Sequence, residues 1–229
     1  MTYKTVHKAY RETFKSYITQ KQLIELEQKY GGLTQNVPRN IISGNDKRDK
    51  NNILYKMQGG DRMKSQYHNY ASLYEKYLNY FNNNDTLNFL EIGILTGIGL
   101  ASWSDLYKTS NIFGFDIEPQ NFYNNQKNLY SLGAFKHNQP KIYYYDQLDN
   151  NQQDYLNNIF KGKKLNIVID DGCHTDDCIM TTLQNIIPHL ANNFVYFIED
   201  NKNVHNLIKS NYPQFNIEYK DQMTVLTPK

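Results

Sequence analysis

Cysteine is scarce in this chain: two residues in 229, Cys173 and Cys178, five positions apart. So few cannot frame a disulfide-stapled secreted domain, and the spacing at the start of one predicted helix gives a cross-link poor geometry, so reduced thiols are expected. Long apolar runs are missing too. None approaches the roughly 18 residues that span a bilayer, and no basic-then-apolar stretch opens the sequence as a secretory signal would. The expectation is a protein without membrane contact, not secreted, and cytoplasmic, in the host's cytoplasm if the source is viral. An excess of one charge is also absent, since 25 Lys and Arg against 23 Asp and Glu leave a formal +2. That is far from the basic footprint of a nucleic-acid binder, and nucleic acid is not expected as a partner.

What is present suffices for one core, with 39% hydrophobic residues over 229 positions, and no region reads as a second independent domain. The abundance of Tyr, 20 residues, together with Asn, Lys and Ile, matches the bias of an AT-rich genome, so an isolated surface Tyr or Asn carries little meaning. Residues 5 to 30 place Val6, Tyr10, Phe14, Tyr17, Ile18, Leu23, Ile24 and Leu26 at near-helical spacing before a stop at Gly31-Gly32, which predicts one long or two short helices. Residues 33 to 52, broken by Pro38 and Gly44, read as a loop, and a second helical region runs from residue 53 through Tyr77 and Leu78. Strands then alternate with helical spacers: 87–92, 112–117, 141–145, 165–169 and 194–198. That alternation predicts right-handed βαβ units and a parallel sheet. Residues 215–219 and 223–227 are separated by only a few polar positions and predict an antiparallel hairpin at the end.

Two acidic pairs stand at strand ends. Ile169-Asp170-Asp171-Gly172-Cys173-His174 follows the fourth strand of that alternation, and Ile198-Glu199-Asp200 the fifth. The carboxyl ends of strands are where open α/β sheets bind ligands, and carboxylates converging there beside a histidine suit a hard divalent cation with a general base. Asp170 is expected to cap the next helix or bind loop amides. Glu91-Ile92-Gly93, running on to Gly97 and Gly99, lies between a strand and a helix, where backbone can approach a nucleotide-like ligand. Asp116 ends the second strand, where an acid can accept from a ribose diol. Trp103 and Tyr143 to Tyr145 are expected to pack, and His189 and His205 to be structural or exposed.

Together with Tyr145-Asp146-Gln147 and the closing hairpin, these features resemble the class I S-adenosylmethionine-dependent methyltransferases. The resemblance implies an α/β doubly wound, Rossmann-like sheet of seven mostly parallel strands. Asp170-Asp171-Gly172-Cys173-His174, Ile187-Pro188-His189 and Tyr196-Phe197-Ile198-Glu199-Asp200 narrow it to the metal-dependent O-methyltransferases of macrolide sugars and the related cephalosporin-hydroxylase-type proteins. Gly59-Gly60-Asp61-Arg62 and Tyr67-His68-Asn69-Tyr70 are similar to the Gly-Thr-Asp-Lys and His-x-Tyr segment of those proteins, with Gly for Thr and Arg for Lys. The resemblance spans residues 58 to 227, which leaves 1–57 as an N-terminal helical extension and linker before a methyltransferase domain at 58–229.

By that resemblance Glu91, Gly93 and Gly97 lie against the methionine portion of S-adenosylmethionine, Asp116 holds the ribose, and Asp146 and Gln147 border the adenine. Asp171 and His68 are expected in the cofactor pocket as well. Asp171, Glu199 and Asp200 are the implied Mg2+ ligands and His174 the general base. The expected reaction is methyl transfer to a hydroxyl of a sugar or glycoside acceptor by a homo-oligomer, dimer or higher. A catechol-type small diol as acceptor, and a cofactor-binding module without catalysis, remain alternatives, with an NAD-dependent dehydrogenase as a weaker one.

Overall fold

The structure, a computed structural model, describes residues 17–32, 35–38, 40–53, 56–66 and 68–229. Helix α1 (Gln20–Tyr30) opens with the Thr19 hydroxyl accepting from the Gln22 amide at 3.2 Å and stops at Gly31, the glycine stop expected from the sequence. It buries Leu23, Glu27 and Tyr30, one face at helical spacing. The part of the predicted helix before residue 17 lies outside the described residues. Strand β1 (Gln35–Pro38) and the short helix α2 (Lys50–Ile53) fall in the stretch expected to be loop. Strand β2 (Lys56–Gly59) pairs antiparallel with β1, Gln35 opposite Gly59. The second helical region is therefore shorter than expected: it is α3 (Ala71–Leu78) alone, because the backbone of 56–59 is taken up by this pairing, which no local periodicity announces.

From there the alternation holds: β3 (Asn88–Ile92), α4 (Ile98–Leu106), β4 (Asn111–Asp116), α5 (Gln120–Ser131), β5 (Lys141–Tyr144), α6 (Gln153–Phe160), β6 (Leu165–Asp170), α7 (Asp176–Ile186), β7 (Leu190–Ile198), α8 (Val204–Asn211), β8 (Phe215–Lys220) and β9 (Met223–Pro228). Seven strands form one sheet in the order β5-β4-β3-β6-β7-β9-β8. The first five run parallel, while β9 is antiparallel to both β7 and β8. The closing hairpin turns at Asp221 and Gln222, with φ of 53° and 69°, the left-handed pair that a tight two-residue turn requires.

Side chains alternate across the sheet. Phe89, Ile167, Ile169, Val195 and Phe197 face the core under α1, α3 and α4, and Leu90, Ile92, Val168, Tyr196 and Ile198 face the core on the other side. Trp103 is fully buried and stacks on Phe89, and Tyr145 is buried against Phe115, whereas Tyr144 is exposed. The strand order reverses between β3 and β6, and the crevice at that switch point is where such sheets take ligands. Among the described residues no helix is long and apolar enough to cross a membrane.

Candidate active site

A pocket of about 700 Å³, open to solvent, lies over the carboxyl ends of β3, β4, β5 and β6. Gly93, Asp116, Asp146, Gln147 and Asp171, all expected at a cofactor, line it together with Leu95, Glu118, Gly172 and Cys173. Gly93 sits at φ 82°, and a Cβ there would collide with the Asp171 carbonyl, so only glycine lets the β3–α4 turn press against the loop after β6. The Asp116 carboxylate accepts from the amides of Leu95 at 2.9 Å and Glu118 at 2.7 Å. Glu118 and Asp146 hold the chain before β2 over this pocket: Glu118 accepts from the amides of Asn40 and Ile41, and Asp146 from the Ser43 hydroxyl at 2.6 Å.

Glu91, Gly97 and His68 lie elsewhere. Gly97, at φ 82°, has Phe122 packed against its Cα, and Glu91 faces a second cavity. His68 places Nδ1 3.1 Å from the Tyr70 hydroxyl and 3.2 Å from Asp200 Oδ1, with Nε2 3.5 Å from Asp61. Gln147 uses its amide within the protein. Its nitrogen donates to Asp170 Oδ1 at 2.7 Å and to Thr182, and its oxygen accepts from the Cys173 amide at 2.7 Å. Asp170 is thereby a buried brace, and burial pushes its carboxyl up to about 7. The thiol expectation is corrected: Cys173 and Cys178 form a disulfide, with Cα atoms 6.2 Å apart. Cys173 precedes the helix, and His174 at φ 59° folds the loop back onto the first turn of α7, which two positions on one regular helix could not do.

The second cavity, about 760 Å³, meets the first at Leu95 and Asp171. Asp171, His174 and Asp200 converge on it, each offering a ligand atom within 4.8 Å of the others. Leu95, His174 and Asp200 all hold left-handed backbone, φ 45°, 59° and 57°, strain that clusters where a structure fixes functional groups. Glu199, the third acid expected at the metal, is buried with its carboxylate on the Tyr74 hydroxyl and on Arg62 Nε, 3.1 Å away. Arg62 also donates Nη1 to Glu91 at 2.7 Å and Nη2 to Asp171 Oδ2 at 2.5 Å. Its guanidinium lies 5.8 Å from the Trp103 ring.

Burial opposes charge on Arg62, but the Glu199, Asp171 and Glu91 carboxylates outweigh it and hold the guanidinium firmly protonated. Burial in turn raises Glu91, Glu199 and Asp61 above the usual carboxylate range. Against the Arg62 charge stand Glu91, Asp171 and Glu199, with Asp200 and Asp61 beside them. The donor set that converges, carboxylate oxygens of Asp171 and Asp200 beside His174, fits a hard divalent cation. Sequence reasoning quoted Arg62 without a role, although its place in the Gly-Gly-Asp-Arg turn was a signal. Glu27 gave no such signal, being one of two acids on a polar helix.

No protein-family model matches the sequence, and no curated protein matches it. Solved structures do. The MycE methyltransferase from the mycinamycin biosynthetic pathway, in complex with Mg and SAH, superposes with a TM-score of 0.58 at 18% identity over 72% of this chain. A second MycE structure, with Mg, SAH and mycinamycin VI, gives 0.54 at 16% over 72%. The chain spans about half the MycE length, 51% in both. TrmN from Thermus thermophilus gives 0.51 at 11% identity, over 69% of this chain and 48% of TrmN. What this chain shares with these proteins is a fold, the seven-stranded Rossmann-like sheet of the S-adenosylmethionine-dependent methyltransferases.

Proposed function

We propose that this protein transfers a methyl group from S-adenosylmethionine to a hydroxyl of a sugar or glycoside acceptor, with Mg2+ at the second cavity. The observation that carries the reading is the junction of two cavities at Leu95 and Asp171, one over the switch point of the sheet and one lined by Asp171, His174 and Asp200. Two solved MycE structures of the same fold, one holding Mg and SAH and one also mycinamycin VI, support it.

Gly93 and the turn it allows, with Asp116 and Asp146, would seat the cofactor in the first cavity, Asp116 accepting from the ribose diol. Asp171 and Asp200 would hold the cation, with Glu199 bracing Arg62 and Tyr74 behind them. When bound, the cofactor supplies an electrophilic methyl, and the cation lowers the pKa of a nearby hydroxyl. His174 Nε2, 3.8 Å from Asp171 Oδ1, faces the same cavity and would take the hydroxyl proton. The chain's main contribution is alignment, the two cavities fixing donor and acceptor on either side of Asp171.

The test is methyl transfer from labelled S-adenosylmethionine to a panel of sugars, glycosides and catechols, with and without EDTA. Turnover of a glycoside that EDTA abolishes and Mg2+ restores is the expected result. Turnover unaffected by EDTA, or confined to catechols, overturns the reading.

A further inference from the structure

Helix α1 lies outside the stretch that resembles the sugar methyltransferases, yet one of its residues lines the second cavity. Glu27 is 6% exposed, and its carboxylate accepts from the backbone amides of Arg62 at 3.0 Å and Met63 at 3.0 and 3.2 Å. A carboxylate in mid-helix does nothing for its own helix by reaching two amides more than thirty positions away; its effect is on the turn it holds. The helix is itself anchored beyond Glu27. Tyr30 is fully buried and donates to Asp105 on α4 at 2.5 Å, and Lys29 reaches the same oxygen at 2.9 Å.

From the turn so held, Arg62 extends a planar fork to acids on three neighbouring strands: Glu91 on β3, Asp171 just after β6 and Glu199 just after β7. A guanidinium has donors at fixed angles, so three acceptors on one fork are oriented relative to one another. Nη2 occupies Asp171 Oδ2, and Asp171 Oδ1 is the oxygen turned toward His174.

We propose that Glu27 and Arg62 are positioning residues for the acids of the cation centre, and that through them the N-terminal helix is part of the site. Glu27 fixes the backbone from which Arg62 projects, and Arg62 fixes which oxygen of Asp171 remains for a cation while holding Glu199 beside it. The inference rests on the cation reading given above. Outer partners of metal ligands typically govern affinity by about 10- to 100-fold.

The experiment titrates Mn2+ into the full chain by electron paramagnetic resonance, with thermal melts to confirm folding. Glu27→Ala and Arg62→Lys should each weaken Mn2+ binding about tenfold or more. Glu27→Gln, whose amide oxygen can still accept from both backbone amides, should stay within about twofold of the parent. Glu25→Ala, on the exposed face of the same helix in a pair with Lys21, should match the parent. If Glu27→Ala does not melt cooperatively, Arg62→Lys against the parent decides. Parent-like Mn2+ affinity in Arg62→Lys or in a folded Glu27→Ala overturns the proposal, as does a Glu27→Gln that falls as far as Glu27→Ala. A parent that binds no Mn2+ overturns the cation reading itself, and the proposal with it; that failure is read in the parent rather than in the variants.

Discussion

Gly99 lies directly against the Glu91 carboxylate: a Cβ at Gly99 would collide with Oε1 and come within 2.8 Å of Arg62 Nη1. A glycine in the first turn of a helix costs about 1 kcal/mol relative to alanine, so propensity alone favours Gly99→Ala. Overpacking a buried site costs about 1–3 kcal/mol, and here the groups in the way are a buried ion pair that cannot move without losing its partners. Gly99→Ala should therefore lower stability by up to about 2 kcal/mol net, read from the urea midpoint at unchanged slope.

His174→Ala should keep affinity for S-adenosylhomocysteine, since His174 lines the second cavity and not the first. Turnover should fall by about 10²–10⁴, the usual contribution of a positioned general base. Calorimetry for the cofactor product beside single-turnover methyl transfer separates the two; cofactor affinity falling in step with turnover would place His174 in the wrong cavity.

Gln147→Leu keeps the volume and removes the amide that joins Asp170, Thr182 and Cys173. Leaving the Cys173 N–H and the Asp170 carboxylate without that partner should cost about 1–3 kcal/mol. Chemical denaturation measures the loss, and faster hydrogen exchange at Cys173 locates it.

His189 is 6% exposed beside the Phe160 ring, and burial, with Lys164 adding to it, holds its pKa below the ordinary 6.5. The unfolded chain takes up that proton first, so the contribution to stability is present above pH 6.5 and is lost as the pH falls through the lowered folded value. Melting temperatures from pH 7.5 to 5 should fall less steeply for His189→Asn than for the parent. Parallel curves would show that His189 does not titrate in this window.

The central sheet was legible because each strand is a short apolar run bounded by turn residues, and the closing hairpin because the three polar positions 220–222 cannot hold a crossover helix. The acids at the strand ends were legible for the same reason, since the end of a run such as Leu165 to Asp170 fixes where the next carboxylate emerges. What stayed hidden depends on contacts distant in sequence. The pairing of β1 with β2 leaves no periodicity in either. Glu27 becomes a wall of the second cavity only because α1 docks on α4. The disulfide depends on the left-handed backbone of His174, a conformation its residue type does not advertise. Gln147 lines the first cavity, but its orientation toward Asp170 and Cys173 is set by packing with Thr182 and Gly172.

Among the described residues, Leu95 and Asp171 alone line both cavities. The wall common to the two chambers is thus one hydrocarbon side chain and one anion. A bulkier group at position 95 would take space from the chambers it borders, since Leu95 belongs to both linings. A change at that position would be felt on both sides at once, unlike a change at His174 or Asp116, each of which lines a single chamber.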